Sequence, residues 1–267
     1  MPGGCLSRKT ALRRFWSVIS EGLSARPWTP PRSKRRTVIF VVGTQLDEHL
    51  NPKIRNVLHI LDEYLPLLRD DQLLVMRSTL FPGTIRLLGN LLERNGRGTR
   101  LAFCPERILQ GKGIGEIFKL PQIVSGTTPE AEEEAAQLFS ALAPKVIRVT
   151  PEEAELAKLM TNSWHYLNFA VANQFYMIAE DSGIDFEHVY QAMTSDYPRA
   201  KDFAPPGLAA GPCLFKDTMQ LASFYNNNFF LGHAAMLVNE GLPGHLLKRL
   251  KKRMGDRSAT NGSPFSA

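Results

Sequence analysis

The chain has 267 residues, 43% hydrophobic and 22% charged, which is ordinary globular composition with room for one large or two small domains. Three widely spaced cysteines, no paired histidines, and no apolar run near the roughly 18 residues that cross a bilayer argue against a disulfide framework, a metal site and a membrane span. The net charge of +6 comes from the ends, since residues 1–36 hold nine Lys/Arg against one acid and residues 248–267 six against one; the middle is acidic and does not read as a nucleic-acid binder.

Residues 1–36 carry scattered Arg/Lys and the prolines Pro27, Pro30 and Pro31, without a secretory apolar core, and read as a disordered basic leader. A targeting segment and an RNA- or membrane-touching arm are the alternatives. Thr37–Gly43 (TVIFVVG) is a β-branched run ending in glycine, the pattern of a strand buried on both faces. Asn51–Leu68 has helical spacing with Pro52 at its first position. Gln72–Arg77 is the next strand, and Pro82–Asn95 a helix closed by Gly96. Thr99–Cys104, Gln122–Ser125 and Lys145–Val149 are further short strands. Between the last two, Thr128 caps a helix with Pro129 at its first position and acids in its first turn. This alternation predicts a parallel α/β sheet over residues 37–149. Thr150-Pro-Glu-Glu153 is a capping box opening a helix to about Ser182, before Gly183. At 1.5 Å per residue it spans roughly 45 Å, and apolar residues on several faces mark it as shared between domains or subunits. Asp185–Met193 and Asp217–Glu240 extend an all-helical region, 150–247. The tail, 248–267, is basic and then Ser/Gly/Asn-rich, and is expected to fray.

Gly207-Leu-Ala-Ala-Gly-Pro-Cys213-Leu-Phe-Lys216-Asp217 carries the chemistry. A helix starting near Cys213 puts thiol, ammonium and carboxylate at i, i+3 and i+4, on one face. A helix N-terminus and a nearby lysine both favour the nucleophilic thiolate. A turn holding a buried cysteine is the plainer reading. Lys158 and Asn162 stack four apart in the long helix, where they are either a solvated face or two donors to a developing oxyanion. Glu106 follows a strand end, where parallel sheets place functional groups.

The segment GLAAGPCLFKDTMQL resembles the cysteine motif of the nucleotide-sugar 6-dehydrogenase (UDP-glucose/GDP-mannose dehydrogenase) family. VIFVVGTQLDEHLNP, RSTLFPGT, CPERILQGK and EAELAKLMTNSW match in order, from about residue 37 to 247. The resemblance implies an incomplete Rossmann-like domain followed by a helical middle domain through which two subunits pair. It implies a cytoplasmic enzyme that uses NAD to oxidise the C6 hydroxymethyl of a UDP-sugar to a uronate through a Cys213 thioester. Lys158 and Asn162 would hold the oxygen, Asp217 and Thr79 would order water, and Glu106 would assist hydrolysis. Thr44, Thr79 and Lys216 would lie along the cofactor, with Lys158, Arg199 and Gly211 on the substrate side. Where UDP-glucose enzymes carry a second glutamate, Gln110 stands, which points to the UDP-N-acetyl-hexosamine branch and, within it, to the N-acetylmannosamine and N-acetylglucosamine dehydrogenases. Gln45 replaces the family's proline.

No GxGxxG fingerprint occurs; Gly111-Lys-Gly113-Ile-Gly115 has the wrong spacing and follows the wrong strand. The chain joins the family pattern at its fourth strand, which predicts an open apolar edge on Thr37–Gly43. It also stops where a nucleotide-sugar domain should begin. The expectation is a reading frame truncated at both ends, the leader coming from an unrelated start. The competing readings are a catalytically silent fragment that retains the pairing module, and a hydroxyacid dehydrogenase that passes hydride without a covalent cysteine.

Overall fold

The computed structural model describes residues 36–44, 47, 52–109, 111, 113–209 and 211–260. The leader before Arg36, together with Gln45 and Gln110, lies outside them. The chain divides into two compact units, 1–159 and 160–267.

The first unit is a five-stranded sheet with helices on both faces. In chain order it holds β1 (Thr37–Phe40), α1 (Ile54–Tyr64), β2 (Leu73–Met76), α2 (Thr84–Arg94), β3 (Arg100–Phe103), the single turn α3 (Gly113–Glu116), β4 (Gln122–Gly126), α4 (Pro129–Ser140) and β5 (Val146–Arg148). The period of two along β2 decides the layering. Leu74 and Met76 pack with Val57 and Leu61 of α1 and Ile85 and Leu88 of α2, while Leu73 and Val75 join Ala131, Ala135 and Phe139 of α4. All four strand residues are 0% exposed, so a continuous apolar run is what this position requires. Each such side chain contributes roughly 1.5–3 kcal/mol by its burial.

The strands lie in the order β1-β2-β3-β4-β5. The first three are parallel, β4 runs antiparallel to β3, and β5 is parallel to β4. The sheet is therefore mixed, where the sequence predicted it parallel throughout. The cause is the link between β3 and β4, whose described residues contain only the one-turn α3 rather than a crossover helix packed along the sheet. Among the described residues β1 pairs on one side only, with Thr37 opposite Leu73, and Val41 just past it is 70% exposed.

Local signals hold at the helix ends. Thr128 Oγ1 accepts from Ala131 N at 3.2 Å. Thr150 N donates to Glu153 Oε2 at 2.7 Å and Glu153 N to Thr150 Oγ1 at 3.3 Å, which is the capping box complete. That box opens α5 (Pro151–Asp181), 31 residues ended by Gly183 at φ +73°. The start of α2 falls at Thr84, two residues after the expected Pro82, because Gly83 takes φ +90°. α1 begins at Ile54, also later than the pattern suggested.

The second unit is helical. The remainder of α5 is followed by α6 (Phe186–Thr194), α7 (Gly211–Phe224) and α8 (Phe230–Thr260). Tyr166, Ala170 and Ala235 form its small core, with Leu214, Phe215 and Val238 packed around. The stretch Asp217–Glu240, expected as one helical run, is broken where Asn226 and Asn227 take φ +50° and +60°. Asparagine tolerates the left-handed region better than most residues. The tail expected to fray from Lys248 continues α8 to Thr260.

Candidate functional site

Within the second unit the site grows from the start of α7. Gly211 and Pro212 open the helix, and the fixed φ of proline suits its first turn. Cys213 follows as an exposed free thiol. One turn on, Asp217 is fully buried. Its Oδ2 accepts from Asn162 Nδ2 at 2.5 Å, and Lys216 Nζ lies 3.4 Å from its Oδ1. The carboxylate thus orients the Asn162 amide with its nitrogen inward, and partly neutralises Lys216. Lys158, four residues before Asn162 on the unbroken α5, falls at the end of the first unit, and its side chain is buried. A buried lysine side chain has less freedom than one in solvent, which suits a donor aimed at a developing charge. Arg199 stays at the surface, its Nε donating to Tyr197 Oη at 2.8 Å and its guanidinium 5.0 Å from that ring's centre.

Within the first unit, Thr44, Thr79 and Glu106 each follow the carboxyl end of a parallel strand, β1, β2 and β3 respectively. In open α/β sheets that edge is where ligands bind. The ends are tied together: Val42 N donates to Ser78 Oγ at 2.6 Å, Arg77 N to Phe40 O at 3.0 Å, and Cys104 N to Met76 O at 2.9 Å. The Glu106 carboxylate accepts from the Arg77 guanidinium and from the backbone N–H groups of Arg107 and Ile108 at 2.8 and 3.0 Å. Three donors steady its anion. Burial draws the Arg77 guanidinium down to about 10 and pushes the neighbouring Cys104 thiol up to about 12. Cys104 is therefore an inert core thiol, in contrast to the exposed Cys213.

Two buried polar features went unread in the sequence. Glu155 on α5 is 1% exposed and accepts from Gly83 N at 2.6 Å and Ile85 N at 2.8 Å, so it caps α2 from a distance. Asn173, also on α5, is 0% exposed and pairs with Gly207 and Asn239. The available signal was an amide inside an alanine-rich turn, which by itself does not tell a partnered core residue from a surface one.

The comparisons follow this division. Residues 27–143 match the NAD binding domain of the UDP-glucose/GDP-mannose dehydrogenase family, and residues 152–240 match its central domain, together about three-quarters of the chain. The match begins at residue 27, ahead of the residue 37 from which the motifs run. A UDP-N-acetyl-D-mannosamine dehydrogenase of Pyrococcus horikoshii is 30% identical over 216 residues, 76% of this chain and 49% of that one. An NDP-N-acetyl-D-galactosaminuronic acid dehydrogenase of Ralstonia nicotianae is 25% identical over 249 residues, 88% of this chain and 58% of that one. Among solved structures, the Pyrococcus horikoshii UDP-D-ManNAc dehydrogenase superposes with a TM-score of 0.75 at 25% identity, covering 84% of this chain and 55% of that one. The chain spans about half the length of the curated relatives it matches. Among the described residues no helix is long and apolar enough to cross a membrane, and no three His, Cys, Asp or Glu gather as metal ligands would. The matched first domain names NAD as its cofactor, and the chain belongs to the UDP-glucose/GDP-mannose dehydrogenase family.

Proposed function

We propose that the chain serves the NAD-dependent oxidation of the C6 hydroxymethyl of a UDP-N-acetyl-hexosamine to its uronate, with Cys213 as the covalent nucleophile. The observation that carries this reading is the α7 arrangement: an exposed thiol one turn before a buried carboxylate that orients Asn162 at 2.5 Å. Thr44 and Thr79, hydroxyls at adjacent strand ends, fit the sugar-and-amide side of a dinucleotide; the sequence holds no GxGxxG loop for its phosphates. NAD, when bound, accepts hydride, which is the chemistry that both oxidations need.

The residues then divide the work. Lys158 and Asn162 donate hydrogen bonds to the substrate oxygen as negative charge develops on it. Cys213 sulfur adds to the aldehyde carbon to give a thiohemiacetal, and after the second oxidation holds the acyl group as a thioester. Asp217 and Thr79 order the attacking water, Glu106 assists the hydrolysis, and the thiol is regenerated. Lys216 lies on the cofactor side, and Arg199 and Gly211 on the substrate side. The relatives' printed sugars support an N-acetyl-hexosamine. Pairing of two copies through the helical unit is supported by Met160, Trp164, Val171, Phe175 and Ile178, which form one stripe of α5 and are each 41–61% exposed.

That same stripe favours the second reading, a catalytically silent pairing module. Titration of NADH fluorescence separates the two. Micromolar binding by the whole chain supports the dehydrogenase, and no binding up to millimolar favours the pairing module.

A further inference from the structure

The segment that delivers Cys213 is held by one buried amide. Asn173 Oδ1 accepts from Gly207 N at 2.8 Å, and Asn173 Nδ2 donates to Gly207 O at 2.9 Å. A side-chain amide has thereby paired with both backbone groups of one residue, as a neighbouring strand would. The second proton of Asn173 Nδ2 goes to Asn239 Oδ1 at 2.9 Å, and Asn239 Nδ2 donates to Tyr166 O at 3.0 Å. Asn173 is 0% exposed and Asn239 is 5% exposed. Both N–H groups of Asn173 Nδ2 and one lone pair of its Oδ1 are matched, which fixes the amide's rotation as well as its position. Gly207 stands six residues before Cys213.

We infer that Asn173, locked by Asn239, is a positioning residue for the nucleophile: it registers the Gly207 segment on α5 and so sets where α7 begins and where Cys213 is presented. The inference rests on the reading of Cys213 as the nucleophile, but its physical content is the coupling between a buried amide and an exposed thiol. Two chemistries discriminate it from general packing. Asn173→Asp keeps the shape and the acceptor for Gly207 N while setting carboxylate oxygen against Gly207 O and Asn239 Oδ1. Asn239→Ala leaves the Gly207 pair in place but removes the lock.

The test is the rate at which iodoacetamide alkylates Cys213, resolved by peptide mass spectrometry from Cys5 and Cys104, together with hydrogen exchange across 203–213 in the same samples. The parent chain should protect the Gly207 amide although its segment has no secondary structure of its own. Asn173→Asp should speed exchange there by roughly tenfold or more and change the Cys213 rate in parallel, with far-UV helicity retained. Asn239→Ala should do the same to a smaller degree. Should Asn173→Asp fail to fold, the parent's Gly207 protection and the Asn239→Ala rates still decide. Rapid exchange at Gly207 in the parent, or variants that melt earlier with Cys213 reactivity and local exchange unchanged, would overturn the inference. Because thiol reactivity and exchange are read without turnover, an inactive chain would count against the proposed function and leave this coupling measurable.

Discussion

Replacing Asp217 by Asn tests whether the site is assembled as described. The carboxylate is fully buried, accepts from Asn162 at 2.5 Å and lies 3.4 Å from the Lys216 ammonium. Asparagine keeps the volume and removes the charge. A hydrogen bond to a charged group is worth about 1.5–3 kcal/mol, and breaking a buried pair costs about 3–5 kcal/mol. The Lys216 side chain keeps 19% exposure, so water relieves part of its loss and the low end applies, about 3 kcal/mol. Urea unfolding followed by far-UV circular dichroism reads this directly. A double-mutant cycle with Asn162→Ala isolates the pair, and the coupling should be at least about 1 kcal/mol. A loss below about 0.5 kcal/mol for Asp217→Asn, or a coupling of zero, would refute the assembly of Asn162, Lys216 and Asp217 into one cluster.

Burial pushes the Glu155 carboxyl up to about 7, over the opposing pull of the Ile85 and Gly83 backbone N–H groups, with Glu152 raising it further and Arg86 lowering it. A raised folded value means that the folded state holds its proton more tightly, so this contribution is complete below about 4.5 and is lost as pH rises through about 7. The loss is on the order of 3 kcal/mol, and the difference between unfolding free energies at pH 5 and pH 8 should shrink in Glu155→Gln. Gly126→Ala should destabilise by about 1–3 kcal/mol or more in thermal melts, because an added Cβ would meet Glu132 N at 2.3 Å and Ala131 C at 2.9 Å, both of them backbone atoms that cannot swing aside. Thr150→Ala should cost about 1 kcal/mol by removing half of the capping box at the head of α5, again read by urea titration.

Much of this was legible in the residues, for reasons that differ from element to element. The strand β2 announced itself because it is buried on both faces, which favours an unbroken apolar run. The two capped helices were legible because Thr128 and Thr150 act within three residues of themselves, where spacing alone fixes the geometry. The contact between Lys216 and Asp217 was legible for the same reason, since both lie within one helical turn. Strand direction was less accessible. The turn of β4 against β3 depends on what the described residues of the 104–121 link fail to do, namely pack a full helix across the sheet. Long-range polar contacts were invisible. Asn162 meets Asp217 across 55 positions, Asn173 meets Gly207 across 34, and Glu155 meets Gly83 across 72. Each of these side chains taken alone is compatible with a solvated helix face.

The most direct test of the covalent role is to incubate the chain with UDP-N-acetylmannosamine and NAD, quench in acid, and search the Cys213 peptide for an acyl adduct that hydroxylamine removes. The account predicts that adduct on Cys213 alone, and no uronate from Cys213→Ala. Uronate formed by Cys213→Ala at the parent rate, or neither adduct nor uronate from the parent chain, would contradict it.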